Sequence, residues 1–212
     1  MGNTRKINPY AFAYCKSLME ASASSCATIE TQAFLGCSAL TRIDFPIASS
    51  VNDGGFSACT SLTDVNLPIC TYVSASAFAG CTSLSKINLP ELSSMYTYAF
   101  DRCTALTDVS LPKATFIGKY TFQSCTALST LTLPMAGYID NYAFQYCSNL
   151  KSLYLLGTSK VCGIGGLSVF NGTPLSAGGN GNIYVPATLY SSYRTTTYWS
   201  SLVDRLVSVA GI

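Results

Sequence analysis

Ala77-Phe78-Ala79-Gly80-Cys81-Thr82-Ser83-Leu84-Ser85-Lys86-Ile87-Asn88-Leu89-Pro90 decides the fold, because most of the chain is built from variants of it. With its looser tail the unit runs to Tyr98. The next unit, 99–120, carries Ala99-Phe100, Cys103, Leu106, Val109, Leu111-Pro112 and Ile117 in the same places. The step is 22 residues and does not slip across the repeat block. Phe12, Phe34, Phe56, Phe78, Phe100, Phe122 and Phe144 form one series. Cys15, Cys37, Cys59, Cys81, Cys103, Cys125 and Cys147 form a second, and Leu18 through Leu150 a third. A fixed period of roughly 20–50 residues is the mark of a solenoid, in which each repeat is one supersecondary unit.

Within one unit, Ile87 and Leu89 alternate with Lys86 and Asn88, the period of a short strand. Stacking places such strands in parallel ~4.8 Å apart, with their inward residues in aliphatic ladders. Pro46, Pro68, Pro90, Pro112 and Pro134 follow the strands, and a residue without N–H ends the pairing there. The tail returns across the back with a second aliphatic column, Ile29, Val51, Val73, Met95, Ile117 and Ile139. The Ala-Phe pair then starts a tight or helical turn.

Outside the regular coils the reading changes. Residues 1–9 are a lead-in without repeat signal. Residues 10–160 hold seven repeats. The first of these is expected to lose its strand, because Ala21, Ala23 and Ser24 stand where Ile, Leu and Pro recur elsewhere. Eight glycines between 157 and 182 read as an irregular insertion, after which Ile183-Tyr184-Val185-Pro186 restores a last strand, closing a segment 161–186. Residues 187–212 carry helical spacing (Leu202 with Leu206, Val203 with Val207) and read as one or two short helices capping the open end of the core.

The pattern A-F-x-x-C-x-x-L-x-x-I-x-L-P resembles the leucine-rich repeats of the BspA-like, Treponema pallidum-type family over roughly residues 10–160. More loosely, the run from Phe170-Asn171-Gly172-Thr173-Pro174 through Ile183-Tyr184-Val185-Pro186 to Tyr193 and Trp199 is similar to the closing segment of gut-bacterial members. The resemblance implies a curved, right-handed leucine-rich-repeat parallel β-solenoid with a C-terminal helical cap. It also implies a bacterial cell-surface or secreted protein, non-catalytic, linked with adhesion and binding to a protein or carbohydrate partner. A structural spacer within a larger surface protein is the rival expectation.

Composition narrows the function classes. Apolar residues make up 49% of the chain, charged residues 10%, and the net charge is +2, which leaves no electrostatic case for nucleic acid. No stretch reaches the ~18 consecutive apolar residues of a membrane span, so no membrane insertion is expected. The basic start, Arg5-Lys6, has no apolar run behind it, so no secretory signal is read here; the chain is cytoplasmic or has had its signal removed. Catalysis is poorly supported. There is no histidine for a Ser-His or Cys-His pair, and neither a phosphate loop nor a dinucleotide fingerprint, so no cofactor is expected. An enzyme using the 157–182 insertion is the remote alternative.

Seven of the ten cysteines occupy one column. Side chains in register point the same way, and seven cannot all pair, so structural thiols are expected rather than disulfides or a metal site. Ten free thiols suit a reducing compartment, against the family's surface expectation. Two surfaces offer ligand candidates. On the strand face the column Glu20, Arg42, Asp64, Lys86, Asp108 alternates in sign, which favours a ladder of cross-strand pairs over a charged groove. Lys86 and Tyr154 are the candidates there. On the turns Tyr98, Tyr120 and Tyr142 share one column, with Tyr72, Phe116 and Tyr138 in a broken one nearby. Such rows are either packing between rungs or a platform for a carbohydrate or protein. The first row is the leading candidate.

Overall fold

The computed structural model describes residues 5–210. The outer ends of the lead-in and of the helical cap, 1–4 and 211–212, lie outside the described residues. In chain order the elements are β1 (Lys6–Ile7), β2 (Glu20–Ser22), β3 (Thr28–Ile29), β4 (Arg42–Asp44), β5 (Ser50–Val51), β6 (Asp64–Asn66), β7 (Tyr72–Val73), β8 (Lys86–Asn88) and β9 (Ser94–Met95). There follow β10 (Asp108–Ser110), β11 (Phe116–Ile117), β12 (Thr130–Thr132), β13 (Tyr138–Ile139), β14 (Ser152–Tyr154), β15 (Gly163–Ile164), β16 (Asn182–Pro186), the helix α1 (Tyr190–Thr195) and β17 (Leu206–Val209). Short 3-10 turns lie at Leu167–Phe170, Ala187–Leu189 and Trp199–Arg205.

Each regular coil contributes one three-residue strand to a front sheet and one two-residue strand to a back sheet. The back sheet is continuous, β1-β3-β5-β7-β9-β11-β13-β15. The front sheet is hydrogen-bonded in three groups, β2-β4-β6, β8-β10 and β12-β14-β16-β17. All pairings are parallel, and the repeat sets the register: Ile87 lies against Val109 and Met95 against Ile117. The fold is the parallel solenoid that the periodicity predicts.

The core lies between the two sheets. The phenylalanine column is a continuous ring stack, with Phe34, Phe56, Phe78, Phe100 and Phe122 separated by 5.1, 5.4, 5.3 and 5.6 Å between centroids. It runs on through Phe144 and Phe170 to Trp199. Stacked aromatic pairs add ~0.5–1.5 kcal/mol each beyond the area they bury. The turns that carry these rings need left-handed backbone at two places per coil. Gln32 and Gly36, Ser76 and Gly80, Tyr98 and Arg102, Tyr120 and Ser124, and Tyr142 and Tyr146 all have φ between 54° and 73°. Glycine meets that demand without strain in some coils; in the others a side chain is held in a conformation that L-residues disfavour.

Four expectations need correction. The first repeat keeps its strand: Glu20–Ser22 pairs with β4, because parallel pairing uses backbone groups that Ala21 supplies as well as isoleucine would. The lead-in is not featureless, since Lys6–Ile7 pairs with β3 and opens the back sheet. The glycine-rich stretch is not an irregular insertion but one longer coil. Gly163–Ile164 pairs with β13, Asn182–Tyr184 with β14, and Phe170 takes its place in the ring stack. Extra residues in that coil bulge at the turns while the ladder residues return to register. At the far end, the second expected helix is a 3-10 segment running into β17, which pairs with β16. The Tyr193 hydroxyl accepts from the Cys162 N–H at 3.0 Å and Trp199 Nε1 donates to the Cys162 carbonyl at 2.7 Å, so the closing segment is pinned to the last back strand's approach.

Candidate binding surface

The front face is a lattice of short-range pairs. Arg42 lies 3.6 Å from Asp64, Lys86 lies 3.0 Å from Asp108, and Asn66 donates to Asp44 at 2.7 Å. Lys86 is thus turned along the sheet toward its neighbour's carboxylate, and a ligand would have to compete for it. Exposed pairs of this kind contribute ~0.2–1 kcal/mol. Tyr154 stacks on Tyr184 of the next front strand, with centroids 4.2 Å apart and planes 7° apart. Tyr184 was not a sequence candidate, because the long coil breaks the 22-residue count before it.

The row favoured by the sequence is a closed stack. Tyr98 and Tyr120 are 4.7 Å apart and 2° from parallel, Tyr120 and Tyr142 4.9 Å and 7°. All three are only half-exposed. The ammonium of Lys119 sits 5.1 Å from the Tyr120 centroid and 5.6 Å from that of Tyr142. Each inner ring face is covered by its neighbour, so this row offers a ligand ring edges and hydroxyls.

The back sheet carries a different row. Tyr72 and Tyr96 are 5.0 Å apart and tilted by 43°, Tyr96 and Phe116 6.0 Å and 51°, and Phe116 and Tyr138 6.1 Å and 4°. Tyr72, Tyr96 and Tyr138 are 37%, 40% and 39% exposed. Sequence reasoning saw this column as broken because Ser94 stands where the next aromatic should be. Tyr96, two residues further on, fills the gap from the adjoining turn. The tilts at Tyr96 set its ring oblique to both neighbours in the row. Lys86 and Tyr154, on front strands, belong to neither of these rows.

The cysteine column is built into the core. The thiols of Cys59, Cys81, Cys103 and Cys125 each donate at 3.2 Å to the carbonyl of the phenylalanine one coil earlier. All ten cysteines are free, and only Cys15 is exposed. Burial pushes the thiols of Cys59, Cys103 and Cys147 up to about 12, the direction opposite to that of an activated nucleophile. Among the described residues no group of three or more Cys, Asp and Glu side chains is arranged to hold a metal ion. No described helix is long and apolar enough to cross a membrane.

The family model for the BspA type leucine-rich repeat region matches residues 2–91 and 71–177, in 6 copies. This chain belongs to the BspA-type leucine-rich repeat family. No curated protein matches it. Three solved structures are similar to it. A leucine-rich repeat protein from Bacteroides ovatus ATCC 8483 is 18% identical with a TM-score of 0.44, over 97% of this chain and 66% of that one. A leucine rich cell surface protein from Faecalibacterium prausnitzii A2-165 is 14% identical with a TM-score of 0.37, over 91% and 64%. The T. pallidum leucine rich repeat protein is 18% identical with a TM-score of 0.47, over 99% and 86%. The BspA-type chain thus spans slightly less than two thirds of the first two structures' length.

Proposed function

We propose that this BspA-type chain is a non-catalytic binding module, displayed at a bacterial surface or secreted, that engages a protein or glycan partner. The observation that carries the reading is the back-sheet row Tyr72, Tyr96, Phe116 and Tyr138, with its tilted and partly exposed rings. Aromatic rings with a polar tip give large contact area at little conformational cost, which is why they dominate recognition surfaces. The closed stack of Tyr98, Tyr120 and Tyr142 is then packing that stiffens the turns, and Lys86 is a member of a surface ion pair. Surface display is what membership of the BspA-type family implies.

The test is a glycan and protein array probed with the purified chain and with Tyr96→Ala and Tyr120→Ala variants. The expected result is a saturable partner, weakened about tenfold or more by Tyr96→Ala and little changed by Tyr120→Ala. Binding lost only with Tyr120→Ala would return the site to the turn stack. An array without any partner would favour the spacer role.

A further inference from the structure

The longer coil departs from the repeat at one turn. Tyr138 follows Thr132 by six residues, whereas their ladder partners Gly163 and Tyr154 are nine apart. The surplus lies in Leu156-Gly157-Thr158-Ser159-Lys160, which begins where proline stands in the regular coils. Between this loop and the turn Pro134–Gly137 lies a cavity of ≈ 300 Å³. An insertion in one repeat of a solenoid makes a loop on one face, often the binding face.

The cavity has two chemical halves. Pro134, Met135 and Leu156 give an apolar wall, with Met135 54% exposed. The loop gives a polar rim, on which Lys160 is the only charge among the described lining residues. Gly137 stands where Ser49, Thr71, Ser93 and Thr115 stand in earlier coils, each with its hydroxyl bonded to the coil before. Lys160 leans over the space this glycine leaves: a methyl group at Gly137 would lie 3.8 Å from its Nζ. Lys86 and Lys113 are paired with carboxylates, but among the described residues Lys160 is not. The N–H groups of residues 156–161 likewise have no acceptor among the described residues, whereas in the regular turns Leu92 and Ala114 donate theirs to Leu89 and Leu111.

We propose that this cavity takes the free C-terminal carboxylate of a peptide or protein chain that ends in an aliphatic residue. The carboxylate meets the Lys160 ammonium and the unengaged N–H groups of the loop, and the terminal side chain lies on Pro134, Met135 and Leu156. Backbone N–H groups gathered in a turn are a recurring device for capturing such carboxylates. One lysine matches the single charge of a carboxylate, whereas a phosphate dianion calls for a second cation or an arginine fork. No aromatic ring is among the described lining residues, which sets aside a sugar held by stacking. The site does not depend on the back-sheet aromatic row and stands or falls independently of it.

The probe is the peptide N-acetyl-Gly-Ser-Val-Leu, as the free acid and as the C-terminal amide, titrated into the whole chain by calorimetry and by amide NMR. The acid is expected to saturate the protein and to bind about tenfold or more tighter than the amide. Lys160→Gln is expected to weaken the acid about tenfold and leave the amide unchanged, while Lys160→Arg retains binding. Lys160 is exposed, so the melting temperatures of both variants should match that of the parent. The amide signals of residues 157–160 are expected to move with the acid. No saturation by about 5 mM acid, equal affinity for acid and amide, unchanged affinity in Lys160→Gln, or signals moving only elsewhere would each overturn the proposal. So would glucuronate or inorganic phosphate binding as tightly as the peptide acid.

Discussion

The thiol of Cys81 donates a hydrogen bond to the carbonyl oxygen of Phe56, 3.2 Å away and 25 residues earlier in the chain. That carbonyl already accepts from the Cys59 N–H at 3.3 Å. The cysteine therefore ties each coil to the turn of the coil before it while filling the corner of the core. Removing it by Cys81→Ala is expected to cost about 2 kcal/mol, part lost volume and part lost hydrogen bond. Urea unfolding at neutral pH measures this. The same substitution at the exposed Cys15 is expected to be nearly silent.

Alkali should dismantle the fold. Burial pushes Cys59, Cys103, Cys147 and Cys162 from 9.0 up to about 12, and Cys81 and Cys125 well above 9.0. Unfolded thiols lose their protons from 9.0 upward while the folded ones keep theirs, so the native state binds more protons in that window. Stability is then full below 9.0 and falls as pH rises, by ~1.4 kcal/mol per pH unit for each such thiol. The urea midpoint is expected to be flat near neutral pH and to collapse above about pH 9.

The left-handed turn positions give a paired backbone test. Ser124 has φ 57° with a side chain, and Gly80 has φ 73° without one at the equivalent place. A methyl group added at Gly80 would meet only the Ala58 backbone at 3.7 Å, an ordinary contact. Gly80→Ala should therefore cost ~1 kcal/mol through backbone strain alone. Ser124→Gly is expected to gain about 0.5 kcal/mol, the relief of strain exceeding the entropy glycine adds to the unfolded chain. Thermal denaturation of the two variants should show shifts of opposite sign.

Asp101 is a carboxylate set into a coil's flank, its side chain 16% exposed, with Oδ1 buried and unpartnered. Burial raises its pKa, against which Arg102, at 3.7 Å, pulls the other way. A group whose folded pKa is raised stabilises while protonated and loses that contribution as pH rises through the folded value. Asp101→Asn should thus raise stability at neutral pH and leave it unchanged in acid. Urea unfolding at both pH values checks the sign.

The repeat was legible because the core imposes it. Phe78, Cys81, Leu84, Ile87 and Leu89 each occupy a fixed inward station, and a 22-residue coil admits few substitutes there. What escaped the sequence depends on contacts that ignore the 22-residue count. Tyr96 completes the back row from a different station than Tyr72 and Phe116. The thiol-to-carbonyl bonds run over 25 residues rather than 22. Lys6–Ile7 and Ala21 pair through backbone groups that any side chain could accompany. The glycine-rich coil hides its ladder residues, Ile164, Phe170 and Ile183, at altered spacing, because a solenoid tolerates slack at its turns as long as the inward stations refill.

The decisive measurement is a thiol count made twice on one preparation without reductant, first native and then in denaturant. A reduced ladder that binds coil to coil requires one fast-reacting thiol in the native protein, Cys15, and all ten after unfolding. Fewer than ten in denaturant would mean that neighbouring rungs are joined by disulfides, and the hydrogen-bonded cysteine column described here would be wrong.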